Sequence, residues 1–367
     1  MNFNFNLRTD VSFGEKSLEK LLSVKGGNSF ILTTPPIVKS GNYERVRSYI
    51  QGNIAYTADV ESNPSTENIN NIATKARDCK AEIIIALGGG SVMDTGKCVA
   101  ALLTNGGDIQ EYLEGREFNS RALPLYCIPT TSGTGSEVTN VAVITNKTKG
   151  YKRPLVSPYL QPSYALVAPS LTLTVPPHIT AETGWDAFSH AIEAYWNTES
   201  NPVSDAIAKD AIGLILNNIV KAYCYGDDIT ARENMALGSL MAGIAFAATR
   251  TTALHGLSFH LTSRYGISHG RACIMTLLPV MSEVIEKNKE KMDILARSTG
   301  YKDASEMLKA IEIKLNDTGM ATNLTQAGIP DDKIQEIVDE GLKNKIMYLT
   351  PIEVNREKII ELLRKKD

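Results

Sequence analysis

Short apolar runs alternate with longer amphipathic stretches along the first 150 residues of the chain. Apolar runs without internal alternation are typical of strands that are buried on both faces of a parallel sheet. They span residues 29–33, 82–87 and 123–128. Between them, apolar side chains recur at the three- and four-residue spacing of helices, over residues 42–51, 65–79 and 91–103. This alternation favours an open, mostly parallel α/β sheet with helices on both faces.

The pattern changes after this region. Six of the 15 prolines lie between Pro154 and Pro177, which predicts an irregular connection. Beyond Pro177 the apolar spacing is helical nearly to the end, most clearly over residues 203–223, 230–248 and 271–287. A chain of 367 residues also exceeds what one hydrophobic core usually serves. We therefore predict an α/β domain over residues 1–175 and an all-helical domain over residues 176–367.

Composition and charge exclude several classes of protein. With 43% apolar and 22% charged residues, the chain is typical of a folded globular protein. A formal charge of −3 gives no electrostatic reason to expect a nucleic acid or an anionic membrane as a partner. The five cysteines are scattered, without a Cys-x-x-Cys pair, which favours reduced thiols. Since neither a signal peptide nor a long apolar run is evident, we predict a cytoplasmic protein.

Side chains that bind metals are concentrated in the second half of the chain. Asp186 and His190 stand four residues apart, so a helix would place them on one face, one turn apart. His255 and His269 follow, and the chain has only five histidines. One carboxylate and three imidazoles suit a divalent transition ion such as iron or zinc, with coordination left open for a substrate oxygen.

Two turns carry the residues expected of an anion-binding site. The strand over residues 82–87 runs into Gly88-Gly89-Gly90-Ser91, where glycines and the start of a helix favour a pyrophosphate; a plain tight turn is the alternative. Asp94 and Lys97 follow on the same helix. A surface charge is one interpretation of either residue, and Asp94 is also close enough to the turn to contact a cofactor. A second turn over residues 129–137 offers hydroxyls and two glycines after the next strand. Two such turns together favour a bound cofactor.

Four segments of the chain resemble the iron-containing (group III) alcohol dehydrogenases. They are residues 88–97, 129–139 and 183–195, followed by His255 and Ser-His-Gly at 268–270. The likeness keeps its order and spacing from residue 13 to about residue 279. It implies a dinucleotide-binding α/β domain with a mostly parallel sheet and an all-helical domain, in a dehydroquinate synthase-like fold.

The resemblance also implies the residues of the site. Asp186, His190, His255 and His269 would hold the metal and act in catalysis through it. Cofactor contacts would fall on Asn63, Gly89, Gly90, Ser91, Asp94, Thr130, Thr131, Ser132, Thr139 and Lys152, with Leu171 near the same ligand.

The implied activity is hydride transfer between a nicotinamide and a small aldehyde or primary alcohol. The implied metal is Fe²⁺, with Zn²⁺ or Mn²⁺ as alternatives, and the implied assembly is a homodimer or a larger homo-oligomer. A polyol oxidoreductase like glycerol dehydrogenase, or a lyase like dehydroquinate synthase, is the alternative on the same scaffold. The four-ligand spacing disfavours both. A catalytically silent scaffold protein is a third alternative, which the intact ligand set opposes.

Two positions depart from the family pattern. Phe259 stands where many members carry a second histidine, four residues after the third ligand, and the neighbouring His260 is rotated by about 100° on a helix. We therefore interpret His260 as a packing or surface residue. Thr34 stands where many NAD-using members place an aspartate for the adenosine ribose. Because a 2′-phosphate is then not repelled, we predict a preference for NADP(H) over NAD(H).

Overall fold

The computed structural model describes residues 2–24 and 27–364. Its backbone separates into two compact units. One, here called the α/β unit, comprises Leu7–Thr131 and Gly135–Val175. Within the described residues, the other, the helical unit, comprises residues 2–6, Ser132–Thr134 and residues 176–364. The chain thus passes between units at Val175 and Pro176, while two short segments of the first 175 residues pack with the helices.

A parallel sheet forms the centre of the α/β unit. Its strands within the described residues are β1 (Asp10–Phe13), β2 (Asn28–Leu32), β3 (Asn53–Thr57), β4 (Ile83–Gly88), β5 (Leu125–Pro129) and β8 (Tyr164–Val167). Their order across the sheet is β1-β8-β5-β4-β2-β3, and every pair is parallel. In the middle of the sheet, Ile31 pairs with Ile85 and Ala86 with Cys127. These side chains are wholly buried, which is why the three central strands read as unbroken apolar runs.

Helices cover this sheet. They are α1 (Pro35–Lys39), α2 (Asn42–Arg47), α3 (Thr66–Asp78), α4 (Gly90–Asn105) and α5 (Ile109–Leu113). Of these, α2, α3 and α4 lie on the three segments where the sequence predicts them, whereas α1 and α5 were not predicted. Ser65 begins α3 by accepting a hydrogen bond from the backbone N–H of Asn68. On α4, Gly96 packs against the sheet: a Cβ there would lie 2.8 Å from the Cβ of Ala86. The doubly covered sheet predicted for this region is confirmed.

The proline-rich stretch contains regular structure, so the irregular connection predicted there is wrong. An antiparallel hairpin joins β6 (Val141–Asn146) to β7 (Tyr151–Val156), and β8 follows within the same stretch. Pro154 is placed opposite Val143. Because β7 pairs with β6 alone in the described sheets, Pro154 can occupy an edge strand without removing a ladder hydrogen bond on a second side.

The helical unit shows no strand in the part that the structure describes. Its helices are α6 (Pro177–Trp196), α7 (Pro202–Cys224), α8 (Ile229–Thr249), α9 (Ala253–Tyr265), α10 (His269–Ile274), α11 (Leu277–Lys287), α12 (Lys289–Ser298), α13 (Ala304–Asp317), α14 (Ile334–Gly341) and α15 (Arg356–Arg364). None of the helices described combines the length and apolar character that a bilayer-spanning segment needs.

Two features of the sequence set the positions of these helices. The single helix predicted over residues 271–287 is wrong, because Pro279 lacks an N–H and its ring excludes the carbonyl four residues earlier, so α10 ends and α11 restarts. Glycine lets α6 approach α7 and α8 closely. A Cβ on Gly184 would lie 2.7 Å from Met235 and 3.0 Å from Ile219, so a larger residue would separate the helices.

Candidate metal centre and cofactor turns

Asp186 and His190 are buried on α6, and the start of α10 is held close beside that helix. A Cβ on Gly270 would lie 2.0 Å from the carbonyl oxygen of Glu182. Only glycine permits this approach, and it brings the neighbouring His269 to Asp186. The Nε2 atom of His269 is 3.8 Å from the Oδ1 atom of Asp186.

His255 reaches the same carboxylate from α9. Its Nε2 atom also lies 3.8 Å from Oδ1 of Asp186. This separation exceeds a hydrogen bond, yet two atoms that each bind one cation at about 2.1 Å can be up to about 4 Å apart. The buried Nε2 atom of His255 has no hydrogen-bond partner among the residues that the structure describes. Such an atom is costly unless something binds it.

The orientation of His255 is fixed by Glu193, a wholly buried carboxylate on α6. Oε2 of Glu193 is hydrogen-bonded to Nδ1 of His255. Its Oε1 atom accepts hydrogen bonds of 2.7 Å from the Thr252 hydroxyl and of 2.7 Å from the backbone N–H of Leu254. The bond to Glu193 holds Nδ1, so Nε2 faces Asp186 and is the nitrogen that can bind a cation once it has released its proton.

Glu193 was not identified as a site residue from the sequence. A signal was present, because a carboxylate within the apolar stretch around Ile192 and Ala194 must find a buried partner. The partner itself could not be identified, because it lies on a helix about sixty residues further along the chain.

His190 lies beside this group, between two rings. It stacks on Phe246 at 4.2 Å between ring centroids and lies 4.4 Å from the ring of His255. Burial, and then the nearby His255 and His269, hold the pKa of His190 well below its usual value, although a hydrogen bond with the Gly133 backbone opposes this. His190 is therefore a neutral imidazole, which is the form that binds a cation.

A fourth side chain completes a compact set, here called the donor cluster. One ligand atom from each of Asp186, His255, His269 and Cys273 lies within 4.8 Å of all the others. Burial raises the pKa of the Cys273 thiol, with His255 acting in the opposite direction. Burial lowers the pKa of His255, but the neighbouring Cys273 and Glu193 outweigh it and raise that pKa well above its usual value. The sequence analysis included three of these four residues and did not include Cys273.

In the α/β unit, the glycine turn (residues 88–91) joins β4 to α4. A Cβ on Gly89 would lie 3.2 Å from the hydroxyl of Thr131, so the turn after β5 lies directly beside it. Ser91 accepts a 3.2 Å hydrogen bond from the backbone N–H of Asn63, and Lys152 donates one of 2.7 Å to the side chain of Asn63. The structure therefore gathers these predicted cofactor residues around the beginning of α4, whose N–H groups favour an anion.

Asp94 and Thr139 belong to a buried network centred on Lys97. The ammonium group of Lys97 is wholly buried and donates to the hydroxyls of Ser136 and Thr139, at 2.7 and 3.1 Å. The carboxylate of Asp94 accepts from Ser136 at 2.6 Å and from the backbone N–H of Val143 at 2.9 Å. The network ties α4 to the residues after β5 and to the hairpin. A surface position for Lys97, the alternative that the sequence left open, is wrong.

The remaining predicted contacts occupy different settings. Thr130 is buried and Gly90 is the first residue of α4. Thr34 precedes α1 and is half-buried. Leu171 is wholly buried, and its carbonyl accepts a 2.9 Å hydrogen bond from the side chain of Asn42. Ser132 packs with the helical unit.

Comparison with known proteins gives matches over almost the whole chain. The family model described as iron-containing alcohol dehydrogenase matches residues 9–169, and that of the C-terminal region of the Fe-containing alcohol dehydrogenase family matches residues 180–366. Alcohol dehydrogenase 4 of Saccharomyces cerevisiae is 31% identical over 365 residues, covering 96% of this chain and 95% of the yeast protein.

Two sulfoacetaldehyde reductases are similarly related. That of Bilophila wadsworthia is 31% identical over 363 residues, covering 95% of this chain and 94% of its own. The crystal structure of that of Bifidobacterium kashiwanohense in complex with NAD⁺ superposes with a TM-score of 0.95 at 31% identity, covering 100% of both chains.

Proposed function

The chain belongs to the iron-containing alcohol dehydrogenase family and is an oxidoreductase, and from that premise we propose that it interconverts a small aldehyde and its primary alcohol. Family membership implies a divalent metal and NAD(H). The observation that supports the proposal best is the pair of Nε2 atoms, from His255 and His269, each 3.8 Å from one oxygen of Asp186. Nothing in the packing of an ordinary helical core requires that arrangement.

We propose Asp186, His190, His255 and His269 as the metal ligands. These residues fit a divalent cation, because the buried Nε2 atom of His255 has no hydrogen-bond partner in the described residues and His190 is held neutral. When bound, the cation supplies Lewis acidity at the carbonyl oxygen, while the nicotinamide supplies or accepts the hydride.

The protein's own part in the reaction is to hold the proposed metal ligands in place. Glu193 fixes His255 from the side opposite to Asp186. Phe259 lies one turn beyond His255 on α9, with its ring 6.3 Å from that of His269. Since Phe259 carries no acidic proton and His260 lies 3.0 Å from the carboxylate of Glu336, we propose that the hydroxyl proton comes through water or the cofactor ribose.

For the nucleotide, we propose NADP(H) in preference to NAD(H). Thr34 lies at the carboxyl end of β2, where a carboxylate would bond the ribose and repel a 2′-phosphate. The cofactor contacts proposed are Thr34, Asn63, Gly89, Gly90, Ser91, Asp94, Thr130, Thr131, Ser132, Thr139, Lys152 and Leu171. A cytoplasmic homodimer or larger homo-oligomer is proposed from the family alone, and light scattering would measure the assembly.

The proposal is tested by preparing the protein without oxygen, adding Fe²⁺, Zn²⁺ or Mn²⁺, and following nicotinamide absorbance with short linear and anionic aldehydes. We expect metal-dependent turnover in the wild type. His269→Ala should remove both bound metal and turnover, because it deletes one of the two nitrogens beside Asp186. His178→Ala is the matched control, since His178 is an exposed histidine at the start of α6. Undiminished turnover by a metal-free protein would overturn the proposal.

A further inference from the structure

Cys273 differs from the other buried cysteines of the chain in what surrounds it. Its sulfur belongs to the donor cluster, one helical turn after His269 on α10. Cys98 and Cys127 are equally buried, but they lie in the α/β unit and belong to no comparable group in the described part of the chain. The position of Cys273 is therefore not explained by burial of a small apolar side chain alone.

A second observation points to a ligand at the same place. The Nε2 atom of His255, in a side chain only 4% exposed, has no hydrogen-bond partner among the described residues. Glu193 already occupies the opposite nitrogen of that ring, so Nε2 is directed into the space shared by Asp186, His269 and Cys273. Two nitrogens, a carboxylate oxygen and a sulfur thus lie within 4.8 Å of one another.

We propose that Cys273 is itself a metal ligand, binding a thiophilic ion together with Asp186, His255 and His269. In forming the bond, the thiol releases its proton to solvent and the sulfur donates an electron pair to the cation, so no oxidant or reductant is required. The inference rests on the proposed function, since it requires that the cluster holds a divalent ion. It adds a soft donor to the nitrogen and oxygen donors proposed there.

A sulfur ligand has a consequence for metal choice. Thiolate favours Zn²⁺, whereas carboxylate and imidazole without sulfur also suit Mn²⁺ and Fe²⁺. We therefore expect Cys273→Ser to lower Zn²⁺ affinity by more than roughly 100-fold, because loss of an outer partner alone costs 10–100-fold. Affinity for Mn²⁺ should change by much less. A purely packing role for Cys273 would lower both affinities together.

The direct test is X-ray absorption at the zinc edge of the full-length, zinc-loaded protein. The wild type should show one sulfur neighbour at about 2.3 Å beside nitrogen and oxygen neighbours at about 2.0–2.2 Å. Cys273→Ser should lose the sulfur shell, and Cys273→Ala offers a second variant if the serine protein does not fold. Cys98→Ser, the same change at another buried cysteine, should keep it.

The outcomes separate this inference from the proposed function. Zinc bound by nitrogen and oxygen alone in the wild type would overturn the assignment of Cys273 and leave the proposed function standing. A sulfur shell that persists in the Cys273 variants would do the same. Failure of the wild type to bind any divalent ion would overturn the proposed function and this inference with it.

Discussion

The donor cluster and the glycine turn are built on opposite physical principles. The donor cluster consists of buried side chains, one of which keeps a nitrogen without a partner in the described residues. At the glycine turn, the proposed recognition elements are backbone N–H groups at the start of α4, and the Ser91 hydroxyl already accepts a hydrogen bond from the backbone N–H of Asn63. The comparison teaches that the donor cluster keeps a buried nitrogen that the described residues do not satisfy, whereas the polar groups near the glycine turn are bonded within the α/β unit.

A substitution of Lys97 is expected to have the largest effect, and it tests whether the network behind the glycine turn is structural. If the network behind the glycine turn is complete in itself, Lys97→Met should destabilise the protein by about 3 kcal/mol, because it leaves buried acceptors without their cation. Urea unfolding would measure the loss. Lys75→Met is the matched control: its ion pair with Asp59 is solvent-exposed and should be worth less than about 1 kcal/mol. Equal effects for the two variants would contradict a structural role for Lys97.

A substitution of Glu193 tests whether the donor cluster depends on the orientation of His255. Glu193→Gln keeps the shape but weakens the hydrogen bond that fixes His255, so metal affinity should fall about 10–100-fold. Chelator competition would measure it. Glu283→Gln is a matched change of another buried glutamate in the helical unit, one whose partners are Lys287 and Lys358, and it should leave metal affinity unchanged. If both variants bound metal equally well, Glu193 would be no more than a packing residue.

The sequence predicts the features that a local pattern determines and misses those that depend on packing between distant segments. The central strands were predictable because burial on both faces leaves an unbroken apolar run, as in Ile83–Gly88. The edge strand Asn53–Thr57 was missed because most of its residues are at least partly exposed, so polar ones interrupt the pattern. Asp186 and His190 were predictable from a local helical spacing. Cys273 was overlooked although it stands four residues after His269, which is the same helical spacing. Glu193 was not predictable, because its partner is set by how α6 and α9 pack.

A substitution of Gly89 is expected to have a smaller effect, limited to the glycine turn and the turn after β5. Its Cβ in Gly89→Ala would lie 3.2 Å from the Thr131 hydroxyl, close enough to shift the turn by a few tenths of an ångström. We expect kcat/KM for the nucleotide to fall about tenfold, or about 1.4 kcal/mol, with metal content unchanged. Gly213→Ala, where the new Cβ meets only an ordinary 3.7 Å contact, is the control for stability. Loss of metal from the Gly89 variant would show that the two regions are not independent.

Thr34 is expected to have the smallest effect and acts on cofactor choice alone. In Thr34→Asp, the new carboxylate at the end of β2 would accept from the ribose of NAD(H) and repel the 2′-phosphate of NADP(H). The ratio of catalytic efficiencies for NADP(H) over NAD(H) should therefore fall several-fold, measured at fixed aldehyde concentration. Thr34→Asn has nearly the same shape without the charge and should leave the ratio close to that of the wild type. An equal shift in both variants would assign the effect to shape. A ratio unchanged by the aspartate would mean that cofactor preference is set elsewhere in the α/β unit.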